Sequence, residues 1–484
     1  MGHLVGPDSA LPPRVSIRAL SVASAGLVGR SGLTLGLVWA ASCTPAAEPG
    51  SRPDVFLLVL DTLRADHLSA YGYGRPTSPN LDRFAEGATL YENAVSTAPW
   101  TLPSHGSLFT GLLPFQHGAH TQLAGGSVRP ASLSTEPATL SELLGDSGYA
   151  SLGFAANVAF LRPDYGLSRG FDAWVLRRAP ASQLLPRVLS RYDELHEQDD
   201  APVFLFANFL DTHRPYNAKG QPAFAERGDG QESVRWLDEL YEPVLTGTEP
   251  ADSDRLNRLR DLYDASIANL DAALGDFFTE LHARDRYDSS LIAITSDHGE
   301  AFGEHALIEH SKDIYQALLH VPLIVKPPHA GPGVRDPRRV GLAQVPALLL
   351  EHLPLASQAA GPEHAALLNG PVLEGEPIVA AENFYSRARD YDSPRFGARF
   401  RRTRHVLFDE GWKWVGSSEG SPELYDLSQD PPESASLASS EAERTAALGA
   451  RWARLRAEFQ TFHSGGEVSE TDETRRALGE LGYY

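Results

Sequence analysis

The 484-residue sequence has little cysteine, no long apolar run and no lysine- and arginine-rich block of the kind that binds nucleic acid. Because Cys43 is the only cysteine, an internal disulfide is excluded. No segment approaches the ~20 apolar residues that a membrane-spanning helix needs. The net charge of −21, from 63 acidic and 42 basic residues, argues against a nucleic-acid partner. An acidic protein can still bind an anion through a metal ion or a local cationic pocket, so an anionic substrate is not excluded.

The segment before Cys43 has the features of a bacterial lipoprotein signal. Arg14, Arg18 and Arg30 precede the short, mostly apolar stretch SGLTLGLVWAAS, which ends directly at Cys43. A basic region, a short apolar region and small residues before a cleavage point are typical of a signal peptide. We predict a signal peptide over residues 1–43 and export to the bacterial cell envelope, with a lipid anchor on Cys43 as the membrane contact in the periplasm or outer membrane. Plain secretion and an uncleaved short anchor are the alternatives.

A short polar linker at 44–53 leads into apolar runs that alternate with helical patterns. The runs are short and unbroken, as in strands that are covered on both faces. The predicted strands lie at 54–60, 149–157, 201–210, 289–300 and 320–328, and the predicted helices at 138–148 and 252–285. This alternation predicts an α/β domain over residues 54–370, with a large, mostly parallel sheet covered by helices.

The pattern changes near residue 370. Short alternating strands separated by turns follow, for example in RFGARFRRTRHVLFDEGWKWVG and ELYDL, and a helical pattern covers 441–462. We predict a smaller C-terminal α+β subdomain over residues 371–484, with a small antiparallel sheet and a terminal helix.

Ligand-type side chains follow three of the predicted strands. Asp61 follows the first, Asp211 and His213 follow FLFANFL, and Asp297 and His298 follow LIAITS. In open α/β sheets, ligands bind beyond the carboxyl ends of the strands. A lone aspartate after a strand is more often a turn residue or a helix cap, but three such strand ends favour a site. Asp61, Asp297 and His298, which we call the metal triad, offer two oxygen donors and one nitrogen donor for one divalent ion.

The stretch APWTLPSHGSLFTG places Thr101 where a helix begins. A threonine at this position is most often a helix-start residue. The N-terminus of a helix also stabilises an anion or a developing negative charge through its dipole and free N–H groups. A hydroxyl bound to a metal ion would be acidified and become a nucleophile, so the two roles of Thr101 are compatible.

Five segments of the chain resemble those of the sulfatase family of the alkaline phosphatase superfamily. They are FLLVLDTLRADHLSAYGYGRPTSPNLDRFA (56–85), WTLPSHGSLFTGLLPFQHG (100–118), YGLSRGFDAW (165–174), ITSDHGEAFGEHALIEHSKDIYQALLHVPLIVKPP (294–328) and ELYDLSQDP (423–431). The resemblance implies an alkaline phosphatase/sulfatase-like fold. It also implies roles for single residues. Asp61 matches the family's first metal aspartate, and Asp297 and His298 match its second metal pair. His213 matches a substrate-binding histidine, and His310 and Lys312 match the segment that holds the leaving oxygen or the anion.

The nucleophile position departs from the family pattern. Sulfatases have Cys or Ser, any residue, Pro, Ser and Arg, and the first residue becomes formylglycine, whereas this chain has Thr-Leu-Pro-Ser-His at 101–105. Because threonine carries a methyl group on its carbinol carbon, oxidation would give a ketone, so we expect no formylglycine. His105 replaces the arginine that supports that group, and Asn157 ends an Ala-Ala-Asn segment where the family often has Gly-Lys-Trp.

The cofactor expected from these residues is a divalent ion, namely Ca²⁺, Mg²⁺, Mn²⁺ or Zn²⁺. The metal triad and the Thr101 hydroxyl would bind it. A second ion on Asp211, His213 and His310 is the alternative.

We predict a metal-dependent hydrolase of sulfate or phosphate esters in which Thr101 attacks in line. Phosphate is favoured because the formylglycine route is closed and phosphorus-handling relatives in the superfamily use a metal-bound threonine. His310 or His213 would protonate the leaving group. The expected substrate-binding residues are His105, Asn157, Asp211 and Lys312, and the substrate is a small-molecule, glycan or lipid ester. A transferase of phospho-alcohol head groups in the cell envelope and a non-catalytic binding protein with this fold are the alternatives.

Overall fold

The computed structural model describes residues 3–4, 52–198, 200–221, 223–225, 230–355, 361–468 and 471–481. The predicted signal peptide, apart from residues 3–4, lies outside this part of the chain, as do Cys43 and most of the linker at 44–53. Export and lipidation therefore stay predictions. Within the described ranges, no helix is both long enough and apolar enough to cross a membrane.

The described elements follow the predicted alternation of strands and helices. The strands are β1 (His3–Leu4), β2 (Val55–Leu60), β3 (Thr89–Val95), β4 (Thr121–Ala124), β5 (Ser127–Pro130), β6 (Ala150–Ala155), β7 (Ala173–Leu176), β8 (Val203–Phe209), β9 (Leu291–Thr295), β10 (Ala301–Phe302), β11 (Ile308–Glu309), β12 (Leu323–Lys326), β13 (Val334–Gly341), β14 (Val372–Leu373), β15 (Glu376–Pro377), β16 (Ala380–Asn383), β17 (Arg404–Asp409), β18 (Trp412–Ser417) and β19 (Glu423–Asp426). The α-helices are α1 (Pro79–Ala85), α2 (Thr101–Thr110), α3 (Pro114–His117), α4 (Leu140–Asp146), α5 (Ala181–Gln198), α6 (Gly230–Leu245), α7 (Asp254–Ala283), α8 (Gln316–Leu319), α9 (Val345–Leu350), α10 (Ala365–Asn369), α11 (Ala388–Tyr391), α12 (Gly397–Phe400), α13 (Ala442–Glu458) and α14 (Asp472–Glu480).

A large sheet forms the centre of the fold, with the strand order β1-β7-β6-β8-β2-β9-β12-β3-β13. Its strands run in one direction except β12, which pairs antiparallel with both β9 and β3. A parallel connection is usually made by a crossover helix, whereas the segment between β9 and β12 contains no α-helix longer than the four-residue α8. The predicted α/β fold class with a large, mostly parallel sheet is confirmed.

Both faces of this sheet are buried. Along β2, Phe56 and Leu58 point into one core, and Leu57 and Val59 point into the other, as the two-residue period of a strand requires. Helices α5 and α7 supply the first core, and α2, α4 and α9 supply the second. The sequence of β2 is an unbroken apolar run because neither face of the strand meets water.

A second sheet, β16-β17-β18-β19, is antiparallel throughout. Helix α13 packs Trp452 and Leu455 into a core with Leu407 of this sheet and with Leu113 and Phe115, which follow α2. An antiparallel sheet and a helix thus occur in the C-terminal region. Their core is shared with the segment that carries α2.

The last described helix, α14, packs into a different core from α13. Leu478 and Leu481 belong to the core between the large sheet and α2. The region predicted as a subdomain over residues 371–484 therefore contributes to both cores.

We expect Leu455→Ala to lower the free energy of unfolding by about 2–5 kcal/mol, because it empties a fully buried position. The same substitution at Leu123, which is 48% exposed, is the matched control and should change it by less than about 0.5 kcal/mol. Urea denaturation followed by circular dichroism measures both values. Equal losses in the two variants would contradict the packing of α13.

Candidate functional site

Three chain segments meet at the carboxyl-terminal edge of the large sheet. Asp61 directly follows β2, Asp297 follows β9 by two residues, and Thr101 is the first residue of α2. Because β2 and β9 are parallel neighbours, their ends lie at the same edge. The structure brings the metal triad together: Asp61, Asp297 and His298 are buried, and each offers one ligand atom within 4.8 Å of the others.

The two carboxylates of the metal triad each keep one oxygen without a hydrogen-bond partner. These buried atoms, Asp61 Oδ1 and Asp297 Oδ2, have no partner among the described residues. The other oxygen of Asp61 accepts from Asn157 Nδ2 at 3.1 Å and from Asn208 Nδ2 at 3.2 Å. The other oxygen of Asp297 accepts from two backbone N–H groups, at 3.2 and 3.0 Å. One oxygen of each carboxylate is thus held in place and the other is available to a cation.

The electrostatics of these carboxylates also favour a cation. Burial raises the pKa of both Asp61 and Asp297 to about 7, and the charge of Asp297 adds to the effect at Asp61. Burying a carboxylate without a compensating positive charge is costly. A divalent ion would compensate both negative charges at once.

His298 completes the donor set as a neutral imidazole. Its Nδ1–H donates to the carbonyl of Gly299 at 2.9 Å, which leaves the lone pair of Nε2 available. Nε2 lies 3.5 Å from Asp297 Oδ2 and 3.8 Å from Asp61 Oδ1. Burial lowers the pKa of His298, so the ring stays uncharged, as a metal ligand must be. The two unpartnered oxygens and this nitrogen fit one divalent ion.

The hydroxyl of Thr101 adjoins the metal triad. Its Oγ1 lies 3.5 Å from His298 Nε2 and accepts a hydrogen bond from Asn157 Nδ2 at 3.2 Å. Because the same nitrogen of Asn157 also donates to Asp61, it holds the hydroxyl and the carboxylate in a fixed relation. The N-cap of α2 is Trp100, so the Thr101 hydroxyl does not serve as the cap of its own helix.

His105 lies one turn further along α2, behind Thr101. Its Nδ1–H donates to the carbonyl of Thr101 at 2.9 Å, and the ring packs against Phe206. Burial lowers the pKa of His105 to about 3, so the ring is neutral. The ring lacks the charge of the arginine that it replaces, but its buried Nε2 has no hydrogen-bond partner among the described residues, so a role for His105 in holding the anion stays a prediction.

Two further histidines extend from His298 in a row. The ring of His310 lies 4.6 Å from that of His298 and 5.0 Å from that of His213. The Nδ1–H of His213 donates to the carbonyl of Arg214 at 2.9 Å, and its buried Nε2 has no partner in the described part of the chain. His310 Nδ1 lies 3.1 Å from Glu300 Oε1. His310 thus lies beside the metal triad, and His213 lies beside His310.

Lys312 is buried next to His310. Its Nζ donates to the carbonyl of His310 at 3.1 Å and lies 3.7 Å from Glu309 Oε2 and 3.9 Å from Asp390 Oδ2. Burial and the positive charge of Arg387 lower the pKa of Lys312 to about 7. These contacts fix the His310 segment, and a role for Lys312 in holding the anion stays a prediction.

Asp211 lies at the start of α5, and its role in substrate binding stays a prediction. Both of its carboxylate oxygens accept from the backbone N–H of Ala181, at 3.1 and 3.0 Å, at the first residue of α5. A carboxylate at a helix N-terminus is stabilised by the helix dipole, which is the ordinary structural role of an aspartate after a strand. Within the described ranges, the metal triad is the one group of three or more such residues whose ligand atoms lie close enough to bind an ion, so a second ion with Asp211 as a ligand is not supported.

Two residues that contribute to the site were not predicted from the sequence. Asn208 donates to Asp61 and accepts from the backbone N–H of Asn157 at 3.0 Å. Its signal is visible in FLFANFL, where one amide interrupts an apolar buried strand. Arg387 donates to Glu309 Oε2 at 2.7 Å and to the carbonyl of His310 at 3.2 Å. Because Arg387 lies far from these residues along the chain, no local sequence pattern predicts the contacts.

We expect a divalent ion to raise the melting temperature of the protein, because an ion that binds the folded state stabilises it by about 2.7 kcal/mol at a hundred times its Kd. Differential scanning fluorimetry with a chelator and with added ions measures the effect. Asp297→Asn should abolish the ion-dependent increase. Asp211→Asn, a matched change at another strand end, should keep it. An increase that survives in Asp297→Asn would contradict the assignment of the metal triad.

Known proteins share this sequence pattern and this fold. A family model described as Sulfatase matches residues 53–355. The Delta 4,5-hexuronate-2-O-sulfatase of Bacteroides thetaiotaomicron is 22% identical over 445 residues, which cover 82% of this chain and 87% of the relative. The Multifunctional alkaline phosphatase superfamily protein PehA of Trinickia caryophylli is 26% identical over 492 residues, which cover 80% and 91%.

A solved structure of similar fold agrees with this family match. The phosphonate monoester hydrolase of Agrobacterium radiobacter superposes with a TM-score of 0.59 at 22% identity, over 84% of this chain and 96% of that one. The family model covers well over half of the chain and includes every residue of the metal triad. The chain therefore belongs to the sulfatase family of the alkaline phosphatase superfamily, whose members hydrolyse ester bonds.

Proposed function

We propose that this protein hydrolyses phosphate-type esters, with Thr101 as the nucleophile and one divalent ion bound by the metal triad. The observation that carries the proposal is the position of Thr101 Oγ1. It lies 3.5 Å from His298 Nε2 and is hydrogen-bonded to the Asn157 amide that also binds Asp61. Its place at the N-terminus of α2 also favours a reaction that develops negative charge.

A divalent ion on Asp61, Asp297 and His298 would lower the pKa of the Thr101 hydroxyl and neutralise the non-bridging oxygens of the ester. Asn157 orients the hydroxyl for attack. In the first step, the bond between Thr101 Oγ1 and phosphorus forms as the bond to the leaving oxygen breaks, the hydroxyl loses its proton and the leaving oxygen gains one. In the second step, water attacks phosphorus and the bond to Oγ1 breaks, which restores the hydroxyl and releases the phosphate.

Phosphorus is favoured over sulfur by the chemistry of the threonine. Thr101 cannot be oxidised to an aldehyde, so an ester formed on its hydroxyl has to be opened by attack of water. The fold accommodates phosphorus esters in at least one case, since the solved structure above is, by its name, a phosphonate monoester hydrolase. Sulfate esters are the second substrate class to be tested.

The proton for the leaving oxygen comes from His213 or His310 in this proposal. Both rings are buried, and His310 contacts the ring of His298 while His213 contacts the ring of His310. The Nδ1–H of His213 bonds to the carbonyl of Arg214, so this ring would donate from Nε2 only when both of its nitrogens are protonated. His310 Nδ1 lies 3.1 Å from Glu300 Oε1. In its protonated form, either ring would be a general acid for the leaving oxygen.

We expect Thr101→Val to lower kcat by about 10³-fold or more, because it removes the hydroxyl and keeps the shape of a fully buried side chain. Release of 4-nitrophenol from 4-nitrophenyl phosphate, a 4-nitrophenyl phosphodiester and 4-nitrophenyl sulfate measures the activity of the ion-supplemented protein. The wild type should prefer the phosphorus esters.

Thr101→Ser is the matched control, since it keeps a hydroxyl at the same position and should retain part of the activity. Turnover by Thr101→Val within about tenfold of the wild type would contradict the nucleophile assignment. A protein that hydrolyses no ester and binds metal weakly or not at all would instead support the non-catalytic alternative.

The general acid is identified by comparing His213→Ala and His310→Ala on an alkyl phosphate and on 4-nitrophenyl phosphate. Loss of the acid should lower kcat/KM for the alkyl ester by about 10²–10⁴-fold. The nitrophenyl ester should lose far less, because nitrophenolate leaves without needing a proton. If neither variant shows this difference between the two esters, the proton does not come from this pair.

A further inference from the structure

A short hairpin connects the metal triad to His310. Its two strands, β10 and β11, pair antiparallel, with Ala301 opposite Glu309. When this register is extended by one residue, Glu300 lies opposite His310, at the distance where cross-strand side chains meet. Glu300 is also the second residue after His298. The hairpin therefore places the carboxyl group of Glu300 between the metal triad and the segment that carries His310.

The side chain of Glu300 is fully buried and makes one contact through each carboxyl oxygen. Oε1 lies 3.1 Å from His310 Nδ1, and Oε2 accepts a hydrogen bond from the Tyr216 hydroxyl at 2.9 Å. The backbone carbonyl of Glu300 accepts from Arg64 Nη1 at 2.9 Å. The carboxyl group is thus fixed through its second oxygen and its backbone, and it cannot turn away from His310 without breaking a buried hydrogen bond.

Tyr216 is itself held in place by packing. Its ring is fully buried and lies 5.6 Å from the ring of Tyr263 and 5.8 Å from that of Phe302, measured between centroids. The hydroxyl of Tyr263 donates in turn to the carbonyl of Thr62, which follows Asp61, at 2.7 Å. The groups that support Glu300 are therefore packed against the segment that carries the first metal aspartate.

The two histidines considered as general acids differ in their contacts. The ring of His310 lies 4.6 Å from that of His298 and meets the carboxyl group of Glu300 at Nδ1. His213 donates from Nδ1 to the carbonyl of Arg214, the next residue in the chain. A contact with the next residue moves together with its own loop. The contact of Glu300, in comparison, joins His310 to the segment that carries a metal ligand.

We infer that Glu300 is a positioning residue for ester hydrolysis, which holds the His310 ring through Nδ1 so that Nε2 meets the leaving oxygen, and that Tyr216 holds Glu300. The inference rests on the proposed function, in which His213 or His310 supplies the proton, and it selects His310. Proton transfer requires the donor nitrogen within about 2.6–3.2 Å of the leaving oxygen, so a ring of fixed orientation favours the step. As the bond from phosphorus to the leaving oxygen breaks, the proton on Nε2 moves to that oxygen, and Glu300 makes no covalent contact with the ester.

The kinetics of Glu300→Met on an alkyl phosphate and on 4-nitrophenyl phosphate test the inference. We expect kcat/KM for the alkyl ester to fall about tenfold or more, and that for the nitrophenyl ester by less than about threefold, because nitrophenolate leaves without a proton. Glu300→Gln keeps a polar group against both His310 and Tyr216 and should stay within about threefold of the wild type on both esters. Tyr216→Phe, which removes one hydroxyl, should show the same preference with a smaller loss.

Glu382→Met is the matched control, because it makes the same change at another buried glutamate, which accepts from the backbone N–H of Phe115 at 2.8 Å. It should leave the ratio of the two esters unchanged. The ion-dependent rise in melting temperature shows that a Glu300 variant is folded and keeps the metal triad. Equal losses on both esters in such a variant, or no loss on either, overturn the inference, as does a loss in Glu300→Gln as large as in Glu300→Met. If Glu300→Met does not fold, the ratio of the two esters for Tyr216→Phe decides.

Crystal structures of Glu300→Met and Glu300→Gln test the positioning without any turnover. The His310 ring should change its orientation in Glu300→Met and keep it in Glu300→Gln, and an unchanged ring in Glu300→Met overturns the inference. Failure of the proposed function gives a different result. The wild type then hydrolyses no ester, or Thr101→Val hydrolyses esters as fast as the wild type, whatever the orientation of His310.

Discussion

Two buried carboxylates that lie close together govern the arrangement of this site. Asp61 and Asp297 each have one oxygen fixed by hydrogen bonds and one without a partner in the described structure, and burial raises the pKa of both to about 7. The surrounding groups are consistent with an ion at this place. His298 presents a lone pair because its other nitrogen donates to a backbone carbonyl, and Asn157 joins Asp61 to the Thr101 hydroxyl.

The parallel arrangement of neighbouring strands brings the metal triad and Thr101 together. Neighbouring parallel strands end at the same edge of the sheet, and the N-terminus of α2 meets that edge, so short apolar strands suffice to place acidic side chains beside a nucleophile. The C-terminal region then completes the surroundings. Arg387 holds Glu309 in the His310 segment, and Leu478 belongs to the same hydrophobic core as Trp100. Residues from the C-terminal region thus support the segments that carry the site.

Sequence reasoning succeeded where a local pattern has one structural solution. Unbroken apolar runs predicted the buried sheet, and ligand-type residues at strand ends predicted which side chains would converge. It was less specific where one residue type has two common roles. Asp211 follows a strand as Asp61 does, but its carboxylate accepts from the backbone at the start of α5, and one ring nitrogen of His105 donates to the backbone of α2. The direction of β12 also depends on the connection that precedes it, which periodicity does not specify.

The sequence by itself determined the α/β class, the family and the residue types of the metal triad, because hydrophobic period and short motifs are local properties. Only the tertiary structure decided which oxygens stay unpartnered, that Asn208 supports Asp61, and that Glu300 contacts both His310 and Tyr216. These relations join segments separated by up to hundreds of residues. Their physical basis is burial and distance in three dimensions, which no spacing along the chain encodes.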